Sequence, residues 1–168
     1  KIVAFSHPHN QTRQVLVQRK PADWLRKTDA EIESELIREQ INLAGKKVYV
    51  QKNTAYSRRL KSLSDEIGDT IHIIETELYG VEELVSLVAK GQIDYTVCDE
   101  NVGLVNASYF PVLDIETPVS FKQNVAWAVR KESKVLLKSI NKWMKEFIDS
   151  RDYRIIYHKY FLSRRAPI

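Results

Sequence analysis

The chain has 168 residues, 43% hydrophobic and 29% charged, the composition of a single globular domain with a sizeable core; this excludes global disorder. Its 26 basic and 22 acidic residues leave a net charge of +4, mixed along most of the chain, too mild and dispersed for a nucleic-acid surface. No apolar run approaches the ~18 residues of a membrane span, and the lone cysteine, Cys98, excludes an internal disulfide and a multi-cysteine metal site.

Residues 13–19 (RQVLVQR) carry a central Val15-Leu16-Val17 run and predict a strand, stopped by Lys20-Pro21. Thr28 and Glu31 have the spacing of a capping box, so a helix is expected over 29–38 with Ile32, Leu36 and Ile37 facing inward. Residues 42–45 read as a turn, and 47–51 (KVYVQ) alternate as a strand does. Asn53-Thr54 opens a helix carrying Leu60, Leu63 and Ile67, and Gly68 sits where a C-terminal cap belongs. Residues 70–75 predict the next strand. A helix follows Gly80, with Val81, Leu84, Val85 and Val88 on one face, ended by Gly91. Residues 93–98 (IDYTVC) predict a strand, with Asp99 placed to cap the helix after it. A short strand over 112–115 and a longer one over 125–130 follow. Ser133 then caps a helix bearing Leu136, Leu137, Ile140, Trp143, Met144 and Phe147, and a last helix is expected over 152–160.

This alternation predicts an α/β fold with a mainly parallel sheet and helices on both faces. Ligands bind such sheets beyond the carboxyl ends of strands, where helices begin. Two corners qualify: Val50 to Thr54, and Val97 to Glu100. At the first, the helix start at Thr54 offers unpaired N–H groups and the positive dipole end, which suit a carboxylate. At the second, Asp99 suits an ammonium, besides its role as a cap. Together they predict one edge that binds a zwitterion.

Other candidates read as structural. His7-Pro8-His9 has no third ligand beside it and reads as a polar loop. Cys98 has no histidine nearby to act as base, and Asp99 and Glu100 beside it would raise its pKa, so it reads as a buried strand end. The pairs Asp65-Glu66 and Glu82-Glu83 read as solvated helix surface, and Arg58-Arg59-Lys61 as a wet basic cluster. The segment 153–165 (YRIIYHKYFLSRR) reads as Ile155, Ile156, Tyr160 and Phe161 packing on a core, with its basic residues in water rather than on nucleic acid. No phosphate loop, dinucleotide fingerprint, nucleophile elbow or zinc-protease motif occurs, so neither a cofactor, a metal nor catalysis is expected.

The blocks LVQRKP (16–21), LAGKKVYVQKNTAYSRRL (43–60), VEELVSLVAKGQIDYTVCDENVGLV (81–105), NVAWAVRKES (124–133) and IIYHKYF (155–161) run in order over nearly the whole chain. As a set they resemble the bacterial extracellular solute-binding domains of family 3. The likeness is strongest to the regulatory module of membrane-bound lytic murein transglycosylases of the F type, as in Bacteroidetes-like sequences. Amino-acid receptors of ABC transporters are the next relatives. The resemblance implies a periplasmic-binding-protein-like fold of type II: residues 1–20 the end of lobe one and a first crossing strand, 21–124 the α/β unit of lobe two, and 125–168 a second crossing strand with the C-terminal helices. Most of lobe one, with its arginine clamp and aromatic sandwich, would be missing. The chain starts at Lys1 without a signal segment, as an excised or processed piece would.

The resemblance further implies that Thr54 binds a ligand carboxylate and Asp99 its amino group, with Asn53, Tyr56 and Glu100 completing the site. Asn53 stands where the family usually has glycine. The expected function is ligand sensing, for an amino acid or cell-wall peptide, in a periplasmic, outer-membrane-associated transglycosylase whose catalytic domain would follow this chain. An amino-acid receptor of an ABC transporter is the alternative. On its own the chain is expected to bind free amino acids weakly and to cleave no peptidoglycan. Apolar faces left without lobe one are expected to drive it to a homodimer.

Overall fold

The structure, a computed structural model, describes residues 2–162. In chain order it forms β1 (Val3–Phe5), β2 (Asn10–Thr12), β3 (Gln14–Arg19), α1 (Asp29–Glu35), β4 (Lys47–Gln51), α2 (Ala55–Ile67), β5 (His72–Thr76), α3 (Val81–Ala89), β6 (Tyr95–Asp99), α4 (Glu100–Tyr109), β7 (Leu113–Asp114), β8 (Gln123–Val125), β9 (Ala128–Arg130), α5 (Lys134–Ile148) and α6 (Arg151–Tyr157). Two compact units result: Arg13–Phe121, and Lys1–Thr12 together with Lys122–Ile168.

The larger unit is a five-stranded sheet in the order β5-β4-β6-β3-β7. β4 pairs in parallel with β5 and β6, whereas β3 pairs antiparallel with both β6 and β7. The sheet is therefore mixed rather than mainly parallel. Alternating helices fix the direction only of strands joined by a crossover: α2, α3 and α4 link β4 through β7, which all run one way. β3 precedes the first crossover and enters in reverse.

Both faces are covered. Leu16, Val48, Val50 and Val97 pack under Leu60 and Leu63 of α2, with Leu43, Ile71 and Val119 closing that core. Val15, Val17 and Cys98 point the other way, onto Val85 and Val88 of α3, with Leu113 and Ile115 beside them. Residues 14–18 are consequently buried without a break, as a strand covered on both faces must be. Each fully buried Leu or Val contributes about 1.5–3 kcal/mol relative to exposure.

Thr28 closes both bonds of its capping box: Glu31 N–H to Thr28 Oγ1 at 3.4 Å and Thr28 N–H to Glu31 Oε2 at 2.7 Å. The helix nevertheless stops at Glu35, three residues short of expectation; Leu36 is extended at ψ 147°, Ile32 and Leu36 are half-buried, and only Ile37 of the three is buried. The cause is tertiary. The Gln18 amide donates to Ile37 O and accepts from Ile37 N–H, both at 3.0 Å, taking the backbone groups a further helical turn would use. α2 ends as its sequence predicts, on Gly68 at φ 71°.

In the smaller unit the expected strand over 125–130 is two short strands. β8 pairs with β2 and β9 with β1, both antiparallel. Ser6 interrupts the ladder: its N–H donates to Trp127 O at 2.9 Å, and its hydroxyl accepts from Trp127 N–H at 3.0 Å. β1 and β2, three residues each, carry too little alternation to be read from sequence. Along α5 only Met144 is buried; Trp143 stays 46% exposed and stacks on Trp127 (6.0 Å) and Phe147 (4.5 Å). α6 gives way to a π-helical turn over His158–Leu162. Ile155, Ile156 and Tyr160 are exposed rather than packed on a core. The basic residues Arg164 and Arg165 lie outside the described residues.

Candidate ligand-binding edge

The parallel strands β4 and β6 are neighbours, so the corners that follow them lie at one end of the sheet. At the first, Thr54 caps α2: its hydroxyl donates to Gln51 O at 2.7 Å and accepts from Ser57 N–H at 3.5 Å. Asn53 makes the turn at φ 62°, in the left-handed region. An Asn53→Val variant is therefore expected to lose about 1–2 kcal/mol in urea unfolding, and Asn53→Gly to lose nothing. Equal stability of the Val variant would contradict the strain.

At the second corner Asp99 occupies the N-cap position of α4 but makes no side-chain cap bond, contrary to the capping role read from sequence. Instead the Tyr56 side chain, from the first turn of α2, lies beside it, so the two corners adjoin. Burial raises the Asp99 pKa, and the Tyr56 hydrogen bond offsets part of the rise. Burial, and then the Asp99 charge, push Tyr56 up to about 12, so it stays a donor.

Glu100 is otherwise engaged. Arg13 grips one of its oxygens through Nε at 3.0 Å and Nη2 at 2.8 Å, and Glu100 N–H donates to Arg13 O at 2.8 Å. Thr54, Asn53, Tyr56 and Asp99 thus meet at one edge, while Glu100 serves an ion pair. Sequence reading missed Arg13, and also Gln14, which lies opposite Asp99 in the β3–β6 register. Only the antiparallel register brings these residues to the corner, and no local spacing reports it.

Cys98 is fully buried, and burial followed by the Asp99 charge pushes its thiol up to about 12, which makes it inert at neutral pH. Among the described residues no group of three His, Cys, Asp or Glu gathers for a metal. His9 lies against Trp127 at 5.9 Å. Glu66 pairs with Arg59 at 2.6 Å, Lys61 reaches Glu75 at 3.5 Å, and Glu83 accepts the Gly80 N–H at 2.8 Å. No helix of the described residues is long and apolar enough to cross a membrane.

The edge pairs the positive end of a thirteen-residue helix with a half-buried carboxylate, complementary to a molecule bearing both an anion and an ammonium. A sheet of this order with such an edge belongs to the periplasmic-binding-protein-like α/β domains. Within that class the chain belongs to the bacterial extracellular solute-binding proteins, family 3, whose pattern matches residues 1–163. It is 34% identical over 159 residues to membrane-bound lytic murein transglycosylase F of Desulfosudis oleivorans, covering 95% of this chain and 32% of that protein. To the protein of the same name from Saccharophagus degradans it is 32% identical, over 75% of this chain and 23% of the relative.

Among solved structures it is similar to an ancestral arginine-binding protein bound to arginine (TM-score 0.69, 25% identity, 95% of this chain and 64% of that one). A mutant arginine-binding protein of T. maritima gives a TM-score of 0.67 at 28% identity, over 96% and 63%. The chain thus spans about a third or less of the two curated relatives and about two thirds of the two solved structures.

Proposed function

We propose that this chain is the ligand-sensing part of a periplasmic, outer-membrane-associated lytic murein transglycosylase, and that its ligand is an amino acid or cell-wall peptide. The observation that carries the reading is the Thr54–Tyr56–Asp99 edge. A ligand carboxylate meets the N–H groups at the start of α2, and its ammonium meets Asp99. The transglycosylase assignment is supported by the 34% identity over 95% of this chain. Glycan cleavage then belongs to a separate catalytic domain, and occupancy of the edge reports on wall turnover. The likeness to arginine-binding proteins at 25–28% identity favours a second reading, an amino-acid receptor of a transporter. A lysozyme-like domain downstream in the gene product selects the first, its absence the second. Exposed Leu136, Trp143 and Ile156 support self-association through α5 and α6.

The test is an NMR titration of the chain with each free amino acid and with cell-wall stem peptides. Millimolar, saturable shifts confined to 51–57 and 97–100 are expected, and Thr54→Val, which removes the hydroxyl that caps α2 and holds Gln51 O, should weaken them severalfold by loosening the corner that presents the N–H groups. No response at these residues to any of the compounds sinks the reading.

A further inference from the structure

The net charge, mild for the whole chain, is divided unevenly between the two units. Residues 13–121 hold 13 Lys and Arg against 18 Asp and Glu, a formal −5, whereas 1–12 and 122–168 hold 13 against 4, a formal +9. On the basic unit one surface of α6 gathers this charge. Arg151, Arg154, Ile155 and His158 stand three and four apart and share a face, which Lys159 extends. The other face is the packed one: the Tyr153 hydroxyl donates to His9 O at 2.7 Å, and its ring meets Phe147 edge-on at 5.7 Å. The basic face is therefore turned outward, with Ile155 52% exposed among the cations. The ion pairs of the described residues leave Arg151, Arg154 and Lys159 unpaired.

The acidic unit carries the complement. A cleft of about 590 Å³ opens there with apolar walls of Trp24, Leu25, Ile32 and Leu36. Two carboxylates at this cleft are left with little to neutralise them. Asp29 is in no ion pair of the described residues, and Glu116, 77% exposed, reaches Arg38 only at 3.8 Å, the longest of the three pairs that arginine makes. The two lysines of the cleft are already engaged, Lys27 with Asp23 and Glu35, and Lys20 with Pro111 O at 3.0 Å. An isoleucine flanked by cations thus matches apolar walls flanked by carboxylates, whereas two α6 faces laid on each other would repel. We infer that the α6 face of one copy docks into the Trp24–Leu36 cleft of a second copy, head to tail. Such a contact is heterologous: each pair keeps one free cleft and one free helix, so association runs on into a series instead of stopping at a dimer. The inference rests on the self-association read from α5 and α6, names the surface it meets, and is independent of the ligand-binding edge.

The experiment is sedimentation velocity of the chain at about 100 μM in sodium chloride of ~0.1 M and ~1 M, where charges are felt over about 10 Å and 3 Å. Species growing beyond dimer are expected at the lower salt, and association at least tenfold weaker at the higher. Two double variants separate the surfaces: Arg151→Glu with Arg154→Glu on the helix, and Asp29→Lys with Glu116→Lys at the cleft. All four positions are exposed, and circular dichroism checks that both variants fold as the wild type does. Each variant alone is expected to be monomeric. Their equimolar mixture is expected to associate again, because the first retains an intact cleft and the second an intact helix. If the cleft variant self-associates as the wild type does, if the mixture stays monomeric, or if association is equal at both salts, the inference is overturned while pairing through α5 and α6 can stand. If the wild type is monomeric at both salts, both fall.

Discussion

Arg38→Ala is expected to cost the fold about 3–5 kcal/mol, the loss typical of stranding one member of a buried ion pair. Asp114 ends β7 with its side chain only 5% exposed. Arg38 meets it through Nη1 at 2.7 Å and Nη2 at 2.9 Å, and Gln18 Nε2 adds a third bond at 3.1 Å. The guanidinium also donates to Thr117 Oγ1 at 3.2 Å, and Thr117 in turn donates to Ile37 O at 2.5 Å. Hydrogen bonds that Arg38 donates to Glu33 and Asp114 raise its pKa further, so it is charged at any accessible pH. The Glu33 arm, half-exposed on the glutamate side, is screened by solvent and contributes little. The buried arm carries the effect, because removing the arginine leaves a carboxylate in the interior with only part of its hydrogen bonding.

A domain has about 5–15 kcal/mol in all, so Arg38→Ala should move the urea midpoint far enough to read directly by circular dichroism. Adding Asp114→Asn to Arg38→Ala should recover part of the loss, since the stranded charge is gone. A single-variant cost below about 1 kcal/mol would mean that the network behaves as solvated surface.

Local signals were legible and long-range ones were not. The capping box at Thr28 and the left-handed glycine at Gly68 act over a few residues, and both form where the spacing places them. The corners bearing Thr54 and Asp99 follow from the change of hydrophobic period from two to 3.6, which fixes where strand becomes helix. What the spacing could not carry was set by partners far along the chain. Gln18 ends α1 through Ile37, nineteen residues away. Ser6 splits the strand at Trp127, 121 residues away. The reversal of β3 puts Arg13 on Glu100 and Gln14 beside Asp99, a consequence of register alone.

Asp99→Asn should separate stability from binding more sharply than any other substitution at this edge. Burial raises the Asp99 pKa, so the fold disfavours its charged form. A group whose folded pKa lies above its unfolded value costs stability at higher pH, and that cost is relieved as pH falls through the folded pKa. The unliganded Asp99→Asn chain has no such charge and keeps an oxygen for Tyr56. It should therefore be as stable as the wild type or more so at neutral pH, and the difference should shrink as the solution is acidified.

Binding should move the other way. A ligand ammonium facing Asp99 makes a charge-assisted hydrogen bond, and losing the charge costs about 2–3 kcal/mol, or roughly 30- to 150-fold in affinity. For a millimolar ligand that is loss beyond detection. In the wild type, affinity should fall as pH drops through the raised Asp99 pKa, earlier than an ordinary aspartate would give. Within that window binding should release a proton, because an ammonium pulls the carboxylate back to its charged form. Calorimetry in two buffers of different ionisation enthalpy reads that proton directly. An Asp99→Asn variant that binds as the wild type does, or wild-type affinity flat down to the ordinary aspartate range, would remove Asp99 from the ammonium site.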